Sequence, residues 1–177
     1  MYLKVKPLKQ NLPWNCGPTA LRIVLKSQFG LNLTQRDVDL LTGVTEDGAS
    51  EYNLMRALDM LGFKYEQTND GNLNHLQDCL RNEQLPIVHI VVKTGEGHYV
   101  VVIGIDEENV TVIDPYVGQK LIFGIAYFLG IWKVEENESQ TRWYMVATGI
   151  NTYNKFDMIL NHYIRIRKKL NRWSIST

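Results

Sequence analysis

The apolar residues of this chain change from a helical to a strand-like period close to Pro86, and that change restricts what it can fold into more than any other feature. Upstream, in CGPTALRIVLKSQF, residues Ala20, Leu21, Val24, Leu25 and Phe29 recur at helical spacing, with Pro18 suited to a first turn and Gly30 to a stop. The same reading predicts helices over 34–42, with Thr34 as cap, Asp37 three positions on and Gly43 as stop; over 50–61, between Ser50 and Gly62; and over 72–83. Downstream, PIVHIVVK, HYVVVIGI, NVTVID and WYMVAT are short runs rich in β-branched and aromatic residues, and the polar links TGEG and DEEN read as hairpin turns. A helical half followed by strands joined through short turns predicts an α+β domain, with helix packed against the face of an antiparallel sheet.

A chain of 177 residues, 45% hydrophobic and 21% charged, has the size and the apolar content for one such core. Nineteen Lys and Arg balance nineteen Asp and Glu, so the chain as a whole offers no field that would draw in nucleic acid. The charges are unevenly placed. Residues 155–177 hold Lys155, Arg165, Arg167, Lys168, Lys169 and Arg172 against the single acid Asp157, a net of +5 that leaves −5 on the rest. Over 155–172, Phe156, Ile159, Leu160, Tyr163, Ile164 and Leu170 form an apolar stripe opposite these bases, which predicts an amphipathic helix. Its basic face is expected to be solvated, or else to contact an anionic surface or partner. The chain therefore divides into a main domain, 1–150, and a basic C-terminal helix within 151–177.

No stretch reaches the roughly 18 uninterrupted apolar residues of a membrane span, and MYLKVKPLKQNLPW lacks the apolar centre of a secretion signal. Two cysteines, Cys16 and Cys79, are too few for a disulfide framework and lack the paired spacing of a structural zinc site. The expectation is a cytoplasmic chain with reduced thiols, no metal and no other cofactor.

Cys16 stands at the start of the first predicted helix, where the partial positive charge of a helix N-terminus favours the thiolate. A nucleophilic thiol also needs an imidazole. Of four histidines, His98 opens HYVVVIGI directly after the TGEG turn, and strand ends are where a sheet offers side chains to a cleft. Asp114 closes NVTVID, so an antiparallel neighbour would bring it beside His98 at one edge of the sheet. There its carboxylate would accept from one ring nitrogen and leave the other facing the thiol. The Cys16 backbone N–H is a ready oxyanion donor, and Gln10, six residues upstream, could supply a second.

Gln10, NCGPTAL at 15–21, GHYVVVIGI at 97–105 and VTVIDPY at 110–116 together resemble the bacteriocin-processing, double-glycine cysteine peptidases of the papain-like superfamily. The resemblance spans about residues 8–148. It implies a papain-like fold over 1–150, Gln10 as oxyanion donor, Cys16 as nucleophile, His98 as base and Asp114 as orienting acid. It also implies a peptide or protein substrate cut after small residues such as Gly-Gly. Such domains often begin export transporters, but this chain contains no membrane span and no nucleotide-binding P-loop, so a stand-alone peptidase is expected. The same thioester chemistry would serve a transamidase or deamidase, and a cleft without turnover would make a peptide-binding module.

Taken singly, these residues have ordinary readings: a buried apolar cysteine, a sheet-edge histidine, an aspartate capping its own turn. Their order along the chain is what favours chemistry. Cys79 reads as core, His89 as a satisfied histidine within a buried strand, and His75 and His162 as helical. Trp14 and Tyr99 flank the proposed site either as cleft wall or as packing.

Overall fold

A computed structural model describes residues 1–136 and 139–150. Within them the chain runs α1 (Cys16–Phe29), α2 (Gln35–Thr42), α3 (Glu51–Leu61), β1 (Phe63–Thr68), α4 (Leu73–Arg81), β2 (Ile87–Val91), β3 (Gly97–Ile105), β4 (Asn109–Asp114), β5 (Gln119–Gly124), α5 (Ile125–Ile131), β6 (Val134–Glu136), β7 (Ser139–Thr141) and β8 (Tyr144–Ile150). The predicted helix over 155–172, and His162 with it, lies outside the described residues.

The helix ends are written locally. Thr34 and Ser50 each close a capping box, with Asp37 and Asn53 as the reciprocal partners, and Gly30, Gly43 and Gly62 end their helices in the left-handed region. Asn72 caps α4 by accepting from the His75 N–H.

Six strands form one antiparallel sheet in the order β1-β8-β2-β3-β4-β5, and β6 and β7 form a separate two-stranded ribbon. Chain order breaks where β8 returns to lie between β1 and β2. β2 ends its pairing with β3 at Ile87 and Val101; beyond it the N-terminal residues take over, with Leu3 N–H donating to the Ile103 carbonyl and Tyr2 bridging Gly104.

The helical half does not lie on the sheet as one layer. On one face α1 and α3 bury Leu21, Val24, Leu25, Leu54 and Leu58 against Tyr99, Val101, Ile103 and Ile113, with Val38 and Leu41 of α2 in the same core. On the other, Leu76 and Leu80 of α4 join Phe128 of α5 and Trp132 in packing on Val100, Val102, Val110 and Val112. This sandwich explains the unbroken apolar run in β3. A strand covered on both faces has no solvent side to make polar, so alternation disappears. The buried indole N–H groups are satisfied, Trp132 by the Trp143 carbonyl at 2.8 Å and Trp143 by Gln67 at 3.2 Å.

Two strands of the six-stranded sheet, the short β6–β7 ribbon and a helix lie where the apolar pattern assigned nothing. β1, FKYEQT, and β5, QKLIFG, are the outer strands, and a half-solvated edge needs no apolar run. α5 is seven residues long, too short for a period to show. β3 and β4 are interior strands, so His98 and Asp114 sit at their ends and not on a lateral edge of the sheet.

The interior strands should therefore carry the stability. Ile103→Ala, at a fully buried position, is expected to cost about 2–5 kcal/mol, whereas Ile122→Ala on the outer strand, 68% exposed, should stay within about 0.5 kcal/mol. Urea unfolding of the two variants measures the difference.

Candidate active site

α1 begins without a side-chain cap on its free N–H groups. Asn15, at the N-cap position, turns its side chain away into the preceding loop. There its Oδ1 accepts from the Leu12 N–H at 3.2 Å, and its Nδ2 donates to Asn11 Oδ1 at 2.8 Å and to the Asp39 carboxylate at 3.2 and 3.4 Å. The Asn15 carbonyl accepts from both the hydroxyl and the N–H of Thr19, at 2.7 and 3.0 Å, which starts the first turn. The first N–H groups of α1 thus have no side-chain cap, and an uncapped helix start favours negative charge beside it.

Cys16 is half-buried at that start. Burial alone would push its thiol up, but a hydrogen bond to His98, the charge of that ring, and the backbone N–H groups of Tyr99 and Gly17 outweigh it and hold the thiol below its ordinary value. Gly17 matters here through its missing side chain, since a Cβ would press on the Tyr99 ring at 3.1 Å and on Leu54 at 3.3 Å.

His98 opens β3 and is 9% exposed. Its Nε2 lies 2.8 Å from Asp114 Oδ1. A carboxylate only accepts, so the proton of this bond belongs to Nε2, and Nδ1 is left for Cys16. Burial would lower the ring's affinity for protons; Asp114 and the Cys16 sulfur overcome it and raise the ring to about 9. Asp114 runs the other way: burial raises its carboxyl, but His98 and the N–H groups of Tyr116 and Val117 bring it below the usual carboxylate range. Each shift favours the charged form of its group: thiolate for Cys16, imidazolium for His98 and carboxylate for Asp114.

The turn after β4 holds Asp114 in place. Tyr116 N–H donates to its Oδ1 at 2.7 Å and Gly118 N–H to its carbonyl at 2.8 Å. The Pro115 carbonyl accepts from the Gln10 N–H at 2.8 Å, which ties the loop before α1 to the Asp114 turn.

Gln10 is 7% exposed beside this loop. Its Nε2 donates to the carbonyls of Leu12 at 2.7 Å and Pro13 at 2.9 Å, while its buried Oε1 has no partner. The structure thus brings Cys16, His98 and Asp114 together as the sequence reading arranges them, and places Gln10 in the adjoining loop with both amide hydrogens engaged there. Among the described residues, no group of three or more His, Cys, Asp and Glu side chains is arranged to hold a metal ion.

His89 and the second thiol differ from these. His89 bonds Glu51 Oε1 at 3.1 Å through Nδ1 and stacks on Tyr99 with ring centres 4.6 Å apart; its ring lies where a side chain on Gly97 would have to go. Cys79 is buried in α4, and burial, with the charges of Glu66 and Asp78, pushes its thiol up to about 11. Sequence reasoning did not reach the contact between Asn15 and Asp39. Asn15 adjoins Cys16, but Asp39 reaches it only through the packing of α1 on α2, which leaves no local signal.

Comparison with known proteins bears on this arrangement. A model of the Peptidase C39 family matches residues 4–134. An uncharacterized protein of Methanothermobacter thermautotrophicus is 36% identical over 112 residues, which are 62% of this chain and 71% of that one. In fold, the chain matches the peptidase domain of Streptococcus ComA, a bi-functional ABC transporter of a quorum sensing pathway, with a TM-score of 0.66 at 21% identity, over 81% of this chain and 98% of that domain. It matches a double glycine motif protease from an AMS/PCAT transporter, solved in complex with a leader peptide, with a TM-score of 0.60 at 17% identity, over 83% and 94% of the two chains. The helices and antiparallel sheet described above are the papain-like architecture of those domains, and with the family model matching residues 4–134, well over half of the chain, the chain belongs to the Peptidase C39 family.

Proposed function

We propose that this chain is a cysteine peptidase in which Cys16 is the nucleophile, His98 the general acid and base, and Asp114 the orienting acid. The observation that carries the reading is the 2.8 Å bond between His98 and Asp114 beside the start of α1, which fixes the imidazole proton on Nε2 and leaves Nδ1 to the Cys16 thiol, itself held below its ordinary value by His98. The Cys16 thiolate attacks the scissile carbonyl, forming a C–S bond. The imidazolium of His98 then gives its Nδ1 proton to the leaving amine as the C–N bond breaks, leaving a thioester. His98, now neutral, takes a proton from water; the hydroxide adds to the thioester, and the thiolate leaves with the acid product.

The oxyanion of each tetrahedral intermediate would be met by N–H groups at the uncapped start of α1. Gln10 would join them by exchanging its bond to Leu12 or Pro13 for one to the oxyanion. Two features support a substrate with small residues before the cut, such as Gly-Gly. One is the family and its double glycine motif neighbour. The other is the filled space beside Cys16, where the Tyr99 ring lies against Gly17 and His89 stacks behind it. An accessible, reactive thiol of this kind works in a reducing compartment, which fits the cytoplasm.

Incubating the protein with Gly-Gly-containing peptides and weighing the products tests the reading. Hydrolysis adds one water across the two fragments, and Cys16→Ala should lose activity by at least about a thousandfold, Asp114→Ala by on the order of a hundredfold or more. Peptide that binds both wild type and Cys16→Ala without yielding product would instead make the chain a binding module, and a product carrying an added amine would make it a transamidase.

The pH dependence follows from the signs of the shifts. Cys16 lies below its ordinary value, so the acidic limb of kcat/KM should sit below the usual thiol range; His98 must keep its proton to release the amine, so the basic limb should fall near pH 9. Asp114→Asn removes the carboxylate that raises His98, and the basic limb should move toward the ordinary histidine value. A basic limb that stays near pH 9 in Asp114→Asn would separate that limb from His98.

A further inference from the structure

Asn15 is completely buried, immediately before Cys16, and its side chain caps no helix N–H. A buried amide needs partners for its hydrogens, and here one partner is a charged group on another helix. Both carboxylate oxygens of Asp39 lie within reach of Asn15 Nδ2, at 3.2 and 3.4 Å, and one of them also accepts from Gln35 Nε2 at 2.8 Å. Asp39 is itself fixed near the end of α2, where its carbonyl accepts from the N–H groups of Gly43 and Val44 at 2.9 and 3.3 Å. α2 in turn is registered by the Thr34–Asp37 capping box. A continuous chain of bonds thus runs from the start of α2 to the residue from which α1 and its thiol begin.

We propose that Asp39 is a positioning residue for the nucleophile: through Asn15 it fixes the loop that starts α1, and so fixes where the Cys16 sulfur meets His98. The inference rests on Cys16 acting as the nucleophile. Without Asp39, the Asn15 amide keeps Asn11 as an acceptor but loses its tie to α2, and the loop of residues 11–15 is free to turn. The start of α1 moves with it, and the bond to His98 that favours the thiolate weakens.

The test uses the full chain carrying Cys79→Ala, so that one thiol reports. Its readouts are the rate of iodoacetamide alkylation at neutral pH and the titration of the thiolate by ultraviolet absorbance. Asp39→Ala should slow alkylation by on the order of tenfold or more and move the thiol titration up toward its ordinary value. The sign is diagnostic, because removing a nearby negative charge acting only through space would move the titration down. Asn15→Asp, which sets two carboxylates face to face, should also slow alkylation, and adding Asp39→Asn to it restores a donor opposite an acceptor and should return the rate to within about threefold of the parent.

A titration that stays put or falls in Asp39→Ala overturns the inference, as does a folded Asn15→Asp/Asp39→Asn chain no faster than Asn15→Asp alone. Where Asp39→Ala does not fold, the exchanged pair decides. His98→Ala serves as the control: if it leaves the thiol titration unchanged, the cysteine peptidase reading falls, whereas a response to His98→Ala with none to Asp39→Ala sinks only the role of Asp39.

Discussion

The 2.8 Å bond between His98 Nε2 and Asp114 Oδ1 sets what every other group at the site is able to do. Because a carboxylate has no proton to give, this one contact fixes the tautomer, the ring plane and the nitrogen that faces Cys16. Its energetic consequence is a reversal of the usual effect of burial. A dry site should neutralise both a thiol and an imidazole, yet Cys16 is lowered and His98 is raised to about 9, because each stabilises the other's charge and Asp114 stabilises the ring. The surroundings of each group thus favour its charged form, where any one of the three charges alone would be costly.

The fold supplies those surroundings by registering three elements that are distant in sequence. β3 and β4 are interior strands buried on both faces, so their ends are held by the best-packed part of the molecule. α1 lies on one face of the same sheet with its uncapped end at the strand ends. The loop before α1 is pinned on two sides, through the Gln10 N–H to Pro115 and through Asn15 to α2. Rigid strands carry the imidazole and the carboxylate, and a bonded loop carries the thiol, which suits a reaction that depends on geometry within fractions of an ångström.

Much of this was legible because it is written in local codes. The capping boxes at Thr34 and Ser50, the glycine stops and the strands β2, β3, β4 and β8 each depend on a few adjacent residues. The order of Cys16, His98 and Asp114 was legible because a helix start and two strand ends can each be read without knowing the packing. What escaped depends on tertiary contacts. The outer strands β1 and β5 carry polar residues that a solvated edge permits; α4 crosses to the face opposite α1; and Asp39 meets Asn15 only once α2 packs beside α1. The amide orientation of Gln10 is likewise set by where the carbonyls of Leu12 and Pro13 fall in the folded loop.

The account turns on His98 being an imidazolium held between a thiolate and a carboxylate, and nitrogen NMR of that ring reports it directly. Both ring nitrogens of His98 should remain protonated through neutral pH and titrate near pH 9, and Cys16→Ala should bring that titration down. A His98 ring that is neutral at neutral pH, and indifferent to Cys16→Ala, would contradict the ion pair on which the proposed chemistry depends.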